Sequence, residues 1–183
     1  MRKRWVLLLS VVLAAYFASF YAYEGRANTE IEETLPEEVN RPEWKIGDWW
    51  EYEVTYYILR SEKEKEITGS RKVKLEVSEK EGKVRITPYT IRYYYWPMKV
   101  GRKWTVKDSR GISIVEIVGV EKMEVPAGEF LTLKIVRKKT DGTIVEESWY
   151  SPKVKWFVKK KQYLESGKIG IWELIEFKVE NDK

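Results

Sequence analysis

The residue types that most often carry catalysis are scarce in this chain. Among its 183 residues there is no Cys and no His. That removes thiolate chemistry, disulfides and cysteine-ligated zinc, and with them the commonest general base. No serine opens a Ser-x-x-Lys, and Gly-x-Ser-x-Gly, glycine-rich phosphate loops and EF-hand loops are absent from the sequence. Carboxylates remain: Glu146 and Glu147 precede Trp149 and Tyr150, and acids beside flat rings are the parts of a sugar-cleaving site. Adjacent residues of a strand point to opposite faces, however, so these two cannot flank one bond. No catalytic residue, metal site or cofactor is expected, and a carboxylate-based glycoside hydrolase is a third reading behind two non-enzymatic ones.

Two other constellations suit binding rather than reaction. Eight tryptophans follow the first 27 residues, and Tyr93-Tyr94-Tyr95-Trp96 is an unbroken aromatic run. Flat rings supply contact area at low entropy cost. Trp50, Tyr52, Tyr94, Trp96 and Trp156 are therefore the candidate lining of a site for a lipid-like or peptide ligand, and the alternative is that they fill the core of a curved sheet. Lys153, Lys155, Lys159, Lys160 and Lys161 interleave with Trp156 and Phe157, a candidate surface basic patch facing anionic headgroups or surface polymers. The alternative is an edge strand guarded by lysines.

Strands must position these residues. Trp50, Tyr52, Val54, Tyr56 and Ile58 alternate with polar residues, as do Val73, Leu75 and Val77. Glu81-Gly82 and Asp141-Gly142 mark hairpin turns. Further strands are expected at Lys83–Thr87, 91–96, 103–107, 112–121, 131–138, 143–150, 154–164 and 169–179. Ile112, Ile114 and Val118 oppose Val115 and Ile117, and Val154, Trp156 and Val158 oppose Phe157, so these strands are expected to lie centrally, with one face on the core and the other covered or lining a cavity. The fold class is mostly β: a single strongly curved antiparallel meander sheet or half-barrel, preceded by one N-terminal transmembrane helix.

That helix follows from Arg2-Lys3-Arg4 and the uncharged stretch Trp5 to Tyr23. At 1.5 Å per residue it would span roughly 28 Å, close to a bilayer core of about 30 Å. The basic cluster precedes it, so the N-terminus is expected in the cytoplasm and the C-terminal part outside. Residues 1–23 are thus a signal anchor for a single-pass cell-membrane protein, or a signal peptide of a secreted one. Residues 24–43 are an acidic flexible linker, rich in Glu with Pro36 and Pro42, and residues 44–183 are an extracytoplasmic β domain. Outside the first 27 residues the net charge falls from +5 to +2, which argues against a nucleic-acid partner. Abundant Lys and Glu, with Gln once and Asn three times, match a thermophile composition.

Three motifs also resemble a family. They are the Gly47-Asp48-Trp49 opening that leads to Tyr52, the turn Val125-Pro126-Ala127-Gly128 with Glu129-Phe130, and Trp149-Tyr150-Ser151-Pro152-Lys153-Val154 followed by Trp156-Phe157. In this order they resemble an uncharacterised group of exported β-domains, the TapB-like group, similar in fold to LolA/LolB-type lipoprotein carriers. The resemblance covers roughly residues 42–162 and implies a concave apolar face with no catalytic residue. The chain departs from it in lacking a lipidated Cys, and in carrying Lys155 where Gly commonly stands. The first functional reading is a membrane-tethered binding or scaffold domain. The second is a structural subunit of an envelope complex with a protein partner.

Overall fold

Alternation with period two places one face of an extended segment against a core and the other toward water. A computed structural model describes residues 34–60, 65–80, 83–87, 94–108 and 111–180, and there the pattern becomes nine strands. They are β1 (Trp49–Leu59), β2 (Lys65–Lys80), β3 (Lys83–Thr87), β4 (Lys103–Asp108), β5 (Gly111–Val125), β6 (Gly128–Lys139), β7 (Ile144–Ser151), β8 (Trp156–Tyr163) and β9 (Lys168–Lys178). Among the described residues there is no α-helix, only a 3-10 turn at Pro152–Val154. The helix expected at residues 5–23 lies outside the described residues.

The strands form one antiparallel sheet in the order β3-β2-β1-β9-β8-β7-β6-β5-β4. Sequence neighbours pair as in a meander, but β1 also pairs with β9, from Trp49–Lys178 to Ile58–Lys168. This contact joins two runs of hairpins and leaves β3 and β4 as edges, so the sheet is not closed. It does curl. The β5–β6 turn donates the Ala127 N–H to the Leu174 carbonyl of β9 at 3.0 Å, and Val125 and Phe130 share a core with Trp50, Leu75 and Leu174.

Four expectations need correction. Tyr94–Trp96 is not a strand: with Pro97 it belongs to an irregular segment whose Met98 pairs with Val39. The strand expected from residue 154 starts at Trp156, because Pro152 has no N–H to offer a ladder and its segment coils into the 3-10 turn. The face of β5 carrying Ile112, Ile114 and Val118 is 50%, 41% and 41% exposed rather than covered, since β5 lies beside the edge strand β4. Finally, part of the stretch expected to be a flexible linker is packed. Val39 is buried, its backbone bonds Met98 in both directions, and Leu35 packs on the same cluster. Two apolar side chains in an acidic stretch suffice to dock it. Residues 24–33 of that stretch lie outside the described residues.

Candidate functional site

Directly paired residues of antiparallel strands project to the same face. Val54 therefore shares a face with Trp172, Lys160, Ser148, Ile135 and Ile117 on successive strands. The next row on that face is Tyr56, Gly170, Gln162, Glu146, Arg137 and Val115. Along the strands, this inner face changes from aromatic to charged.

The aromatic half is a packed core. Trp50, Tyr52 and Trp156 are fully buried. Trp156 lies 5.9 Å from Trp50, 5.7 Å from Tyr94 and 5.7 Å from Trp44, and Tyr94 lies 6.2 Å from Trp96, all centroid to centroid. Tyr52 stacks on Phe157 at 4.7 Å. Three ring donors clamp the segment after β7 and the start of β8. Trp50 Nε1–H donates to the Val154 carbonyl at 2.6 Å, Trp44 Nε1–H to that of Lys155 at 3.0 Å, and Tyr52 O–H to that of Phe157 at 2.6 Å. The structure thus brings the five expected lining residues together, but around one another. The chain's own segment from Tyr94 to Met98 packs into this face, with Tyr94 and Trp96 half-buried and Met98 buried.

The Gly47-Asp48 motif supports this end. Gly47 has φ of 94°, a conformation that penalises a side chain. It lets Asp48 turn inward, where its carboxylate accepts the N–H of Lys45 at 3.0 Å and of Glu180 at 2.9 Å. One buried carboxylate therefore ties the start of β1 to the chain beyond β9.

The five lysines do not form one surface patch. β8 is an interior strand between β7 and β9, so its lysines meet carboxylates from both sides. Lys159 pairs with Glu173 at 2.7 Å, and Lys161 lies 3.8 Å from Glu147. Lys160 is buried, 3.7 Å from Glu146, with its ammonium 4.1 Å from the Phe157 ring centre. Lys155 is buried and donates to the Glu43 and Glu180 carbonyls at 3.0 and 2.7 Å. Lys153 alone of the five is exposed. Glu146 and Glu147 face opposite sides, as expected. Glu146 accepts from Gln162 at 3.1 Å, and Glu147 from the Tyr163 hydroxyl at 2.9 Å.

The charged half holds residues not singled out from sequence. Arg137, with 4% of its side chain exposed, donates through Nη2 to Asp108 at 2.8 Å and to the Ser113 hydroxyl at 2.9 Å. A buried ion is tolerable only when paired and hydrogen-bonded. Arg137 occupies the inward phase of Leu133 and Ile135, and Lys160 that of Trp172. A basic residue at an apolar-phase position was the available signal.

Beyond Arg137, where the β6–β7 and β8–β9 turns meet, lies a cavity of about 350 Å³. Ser113, Arg137, Lys139 and Thr143 provide its polar wall, together with Glu165; Ile144, Val145, Tyr163 and Leu164 provide the rest. It combines a buried cation, hydroxyls and apolar side chains, the mixture typical of small-molecule sites. A hollow between residues 36–43 and Lys155 is larger, about 570 Å³, but lies more open to solvent.

No family model and no curated protein matches this chain. Solved structures similar to it include a protein described as exported, with a YmcC-like fold, from Bacteroides fragilis. It is 12% identical, with a TM-score of 0.34, and the match covers 76% of this chain and 99% of that one. A protein from Parabacteroides distasonis, described as a lipoprotein, is 14% identical with a TM-score of 0.27, over 76% of this chain and 97% of that one.

Proposed function

We propose that the chain is an extracytoplasmic binding domain, tethered to the outer face of the cytoplasmic membrane by its N-terminal apolar stretch. Its ligand enters the cavity beside Arg137 rather than the aromatic face. The tether rests on Arg2-Lys3-Arg4 followed by uncharged residues to Tyr23. The observation that carries the binding role is the cavity itself, about 350 Å³ with a buried guanidinium in its wall. The aromatic rings favoured from sequence are occupied by one another and by Met98 and its neighbours. Native mass spectrometry of the full-length protein from its own membranes tests this. A small-molecule adduct is expected on the wild type and should be lost in Leu164→Trp, which fills the cavity. Bare protein in both would overturn the reading.

One observation favours a second role, as a structural subunit of an envelope complex. Ile112, Ile114 and Val118 of β5 are each 41–50% exposed beside the edge strand, and exposed apolar surface marks interaction sites. A photo-crosslinker at Ile114 that captures no partner in cells would remove it.

A further inference from the structure

We propose that the cavity at the β6–β7 and β8–β9 turns selects a small organic monoanion with an apolar body. The carboxylate-like group is directed at Arg137 and Lys139, and the body lies against Ile144, Val145 and Leu164. This deepens the binding-domain reading and rests on it.

Size sets the first limit. At about 350 Å³ the cavity lies at the low end of the range for small-molecule pockets, roughly 300–1,000 Å³. It suits a compound with one ring or a short chain rather than a two-chain lipid or a peptide strand.

Charge sets the second. Arg137 is held 96% out of solvent on the inner face, and a guanidinium remains protonated at any physiological pH. A cation held out of solvent attracts an anion more strongly than a fully solvated lysine does. Its planar fork suits a carboxylate, and Lys139, also in the lining, adds a second, exposed cation. The same wall limits the ligand's charge. Asp108 sits 2.8 Å from the guanidinium, and Glu165 also lines the cavity. A second negative charge would meet both carboxylates, so a dianion is disfavoured.

The third constraint is apolar. Ile144 is 38% exposed at the turn, and covering it together with Val145 and Leu164 stabilises a bound hydrocarbon or ring by roughly 25 cal/mol per Å². A bare inorganic anion would forgo that contribution.

Calorimetry on the full-length protein in lipid nanodiscs, with empty nanodiscs as blank, tests this using 3-phenylpropionate and its neutral isostere 3-phenylpropanamide. The acid is expected to bind saturably and about tenfold or more tighter than the amide. Lys139→Glu, at an exposed position, should weaken the acid and leave the amide unchanged. Leu164→Trp should abolish both, with its thermal melt confirming the fold. Equal binding of acid and amide, or indifference of the acid to Lys139→Glu, overturns the anion preference while leaving a binding domain. Absence of any binding by either probe, with no adduct in native mass spectrometry, overturns both.

Discussion

At the scale of single residues, Lys155 shows how one side chain can work against its own backbone and still be stabilising. Its φ is 57°, the one non-glycine in the left-handed region among the described residues. That conformation costs an ordinary L-residue roughly 1–2 kcal/mol. What the lysine gives in return is a buried ammonium bound to the carbonyls of Glu43 and Glu180, at 3.0 and 2.7 Å, which ties the entry and exit of the domain together. Charge-assisted bonds of this kind contribute about 1.5–3 kcal/mol each. Lys155→Ala keeps the strain and loses the bonds, so a loss of about 2–4 kcal/mol is expected. Lys155→Gly loses the bonds but relieves the strain, and should be about 1 kcal/mol more stable than the alanine variant. Equilibrium urea unfolding separates the three proteins. An alanine variant as stable as the wild type would mean the clamp contributes nothing.

At the scale of the strands, the face opposite Trp50 carries a ladder of alternating charge. Glu121 of β5 meets Lys134 of β6 at 3.1 Å, Lys134 lies 3.8 Å from Glu147 of β7, and Glu147 lies 3.8 Å from Lys161 of β8. Glu121 anchors it by also accepting the Trp149 indole N–H at 2.8 Å. That bond, and then Lys134, holds the Glu121 carboxyl below the usual carboxylate range. A carboxyl with a depressed folded value stabilises above its unfolded pKa, about 4.3, and the contribution disappears as pH falls through the folded value. Wild type should therefore exceed Glu121→Gln in stability at neutral pH, with the gap closing below about pH 4. Urea melts at a series of pH values follow it, and a constant gap would contradict it. This ladder also explains what sequence could and could not reveal. Trp50, Tyr52 and Val54, or Val73, Leu75 and Val77, announce their strands because alternation is local. The turns at Asp141-Gly142 and Pro126-Ala127 are legible for the same reason. Lys159, Lys160 and Lys161 resembled a basic patch because their carboxylates, Glu173, Glu146 and Glu147, arrive from other strands. The run at Tyr94 resembled a strand because aromatic residues favour one, while its docking through Met98 on Val39 depends on a partner far away in sequence. The Arg137 site was hidden by the same distance, since Asp108 and Ser113 reach it from β4 and β5.

At the scale of the whole molecule, the topology is an up-and-down sheet cut at an unusual place. All nine strands have a sequence neighbour on at least one side and β1 pairs with both β2 and β9, while β3 and β4, consecutive in sequence, are the two edges. The β1–β9 pairing is thus the costly step. Its innermost pair, Ile58 and Lys168, encloses about 110 residues of chain, and closing a loop carries an entropy cost that grows as 3/2 RT ln n. Moving the chain ends to the connection between Thr87 and Tyr94 breaks no strand pair, because β3 and β4 do not pair. If Glu180 is joined to residue 34 by a short flexible linker, Lys178 and Trp49 become the base of a loop of roughly 25 residues, and the whole sheet becomes a continuous meander. The loop-length ratio predicts refolding about tenfold faster. Unfolding should change little if this pairing is already formed in the transition state. Stopped-flow fluorescence of the many tryptophans measures both limbs, and near-ultraviolet circular dichroism verifies that the packing of Trp50 and Trp156 is retained. A permutant that keeps that packing yet refolds at the parental rate would place β1–β9 pairing after the rate-limiting step, and would shift the folding nucleus to the hairpins of β5–β8.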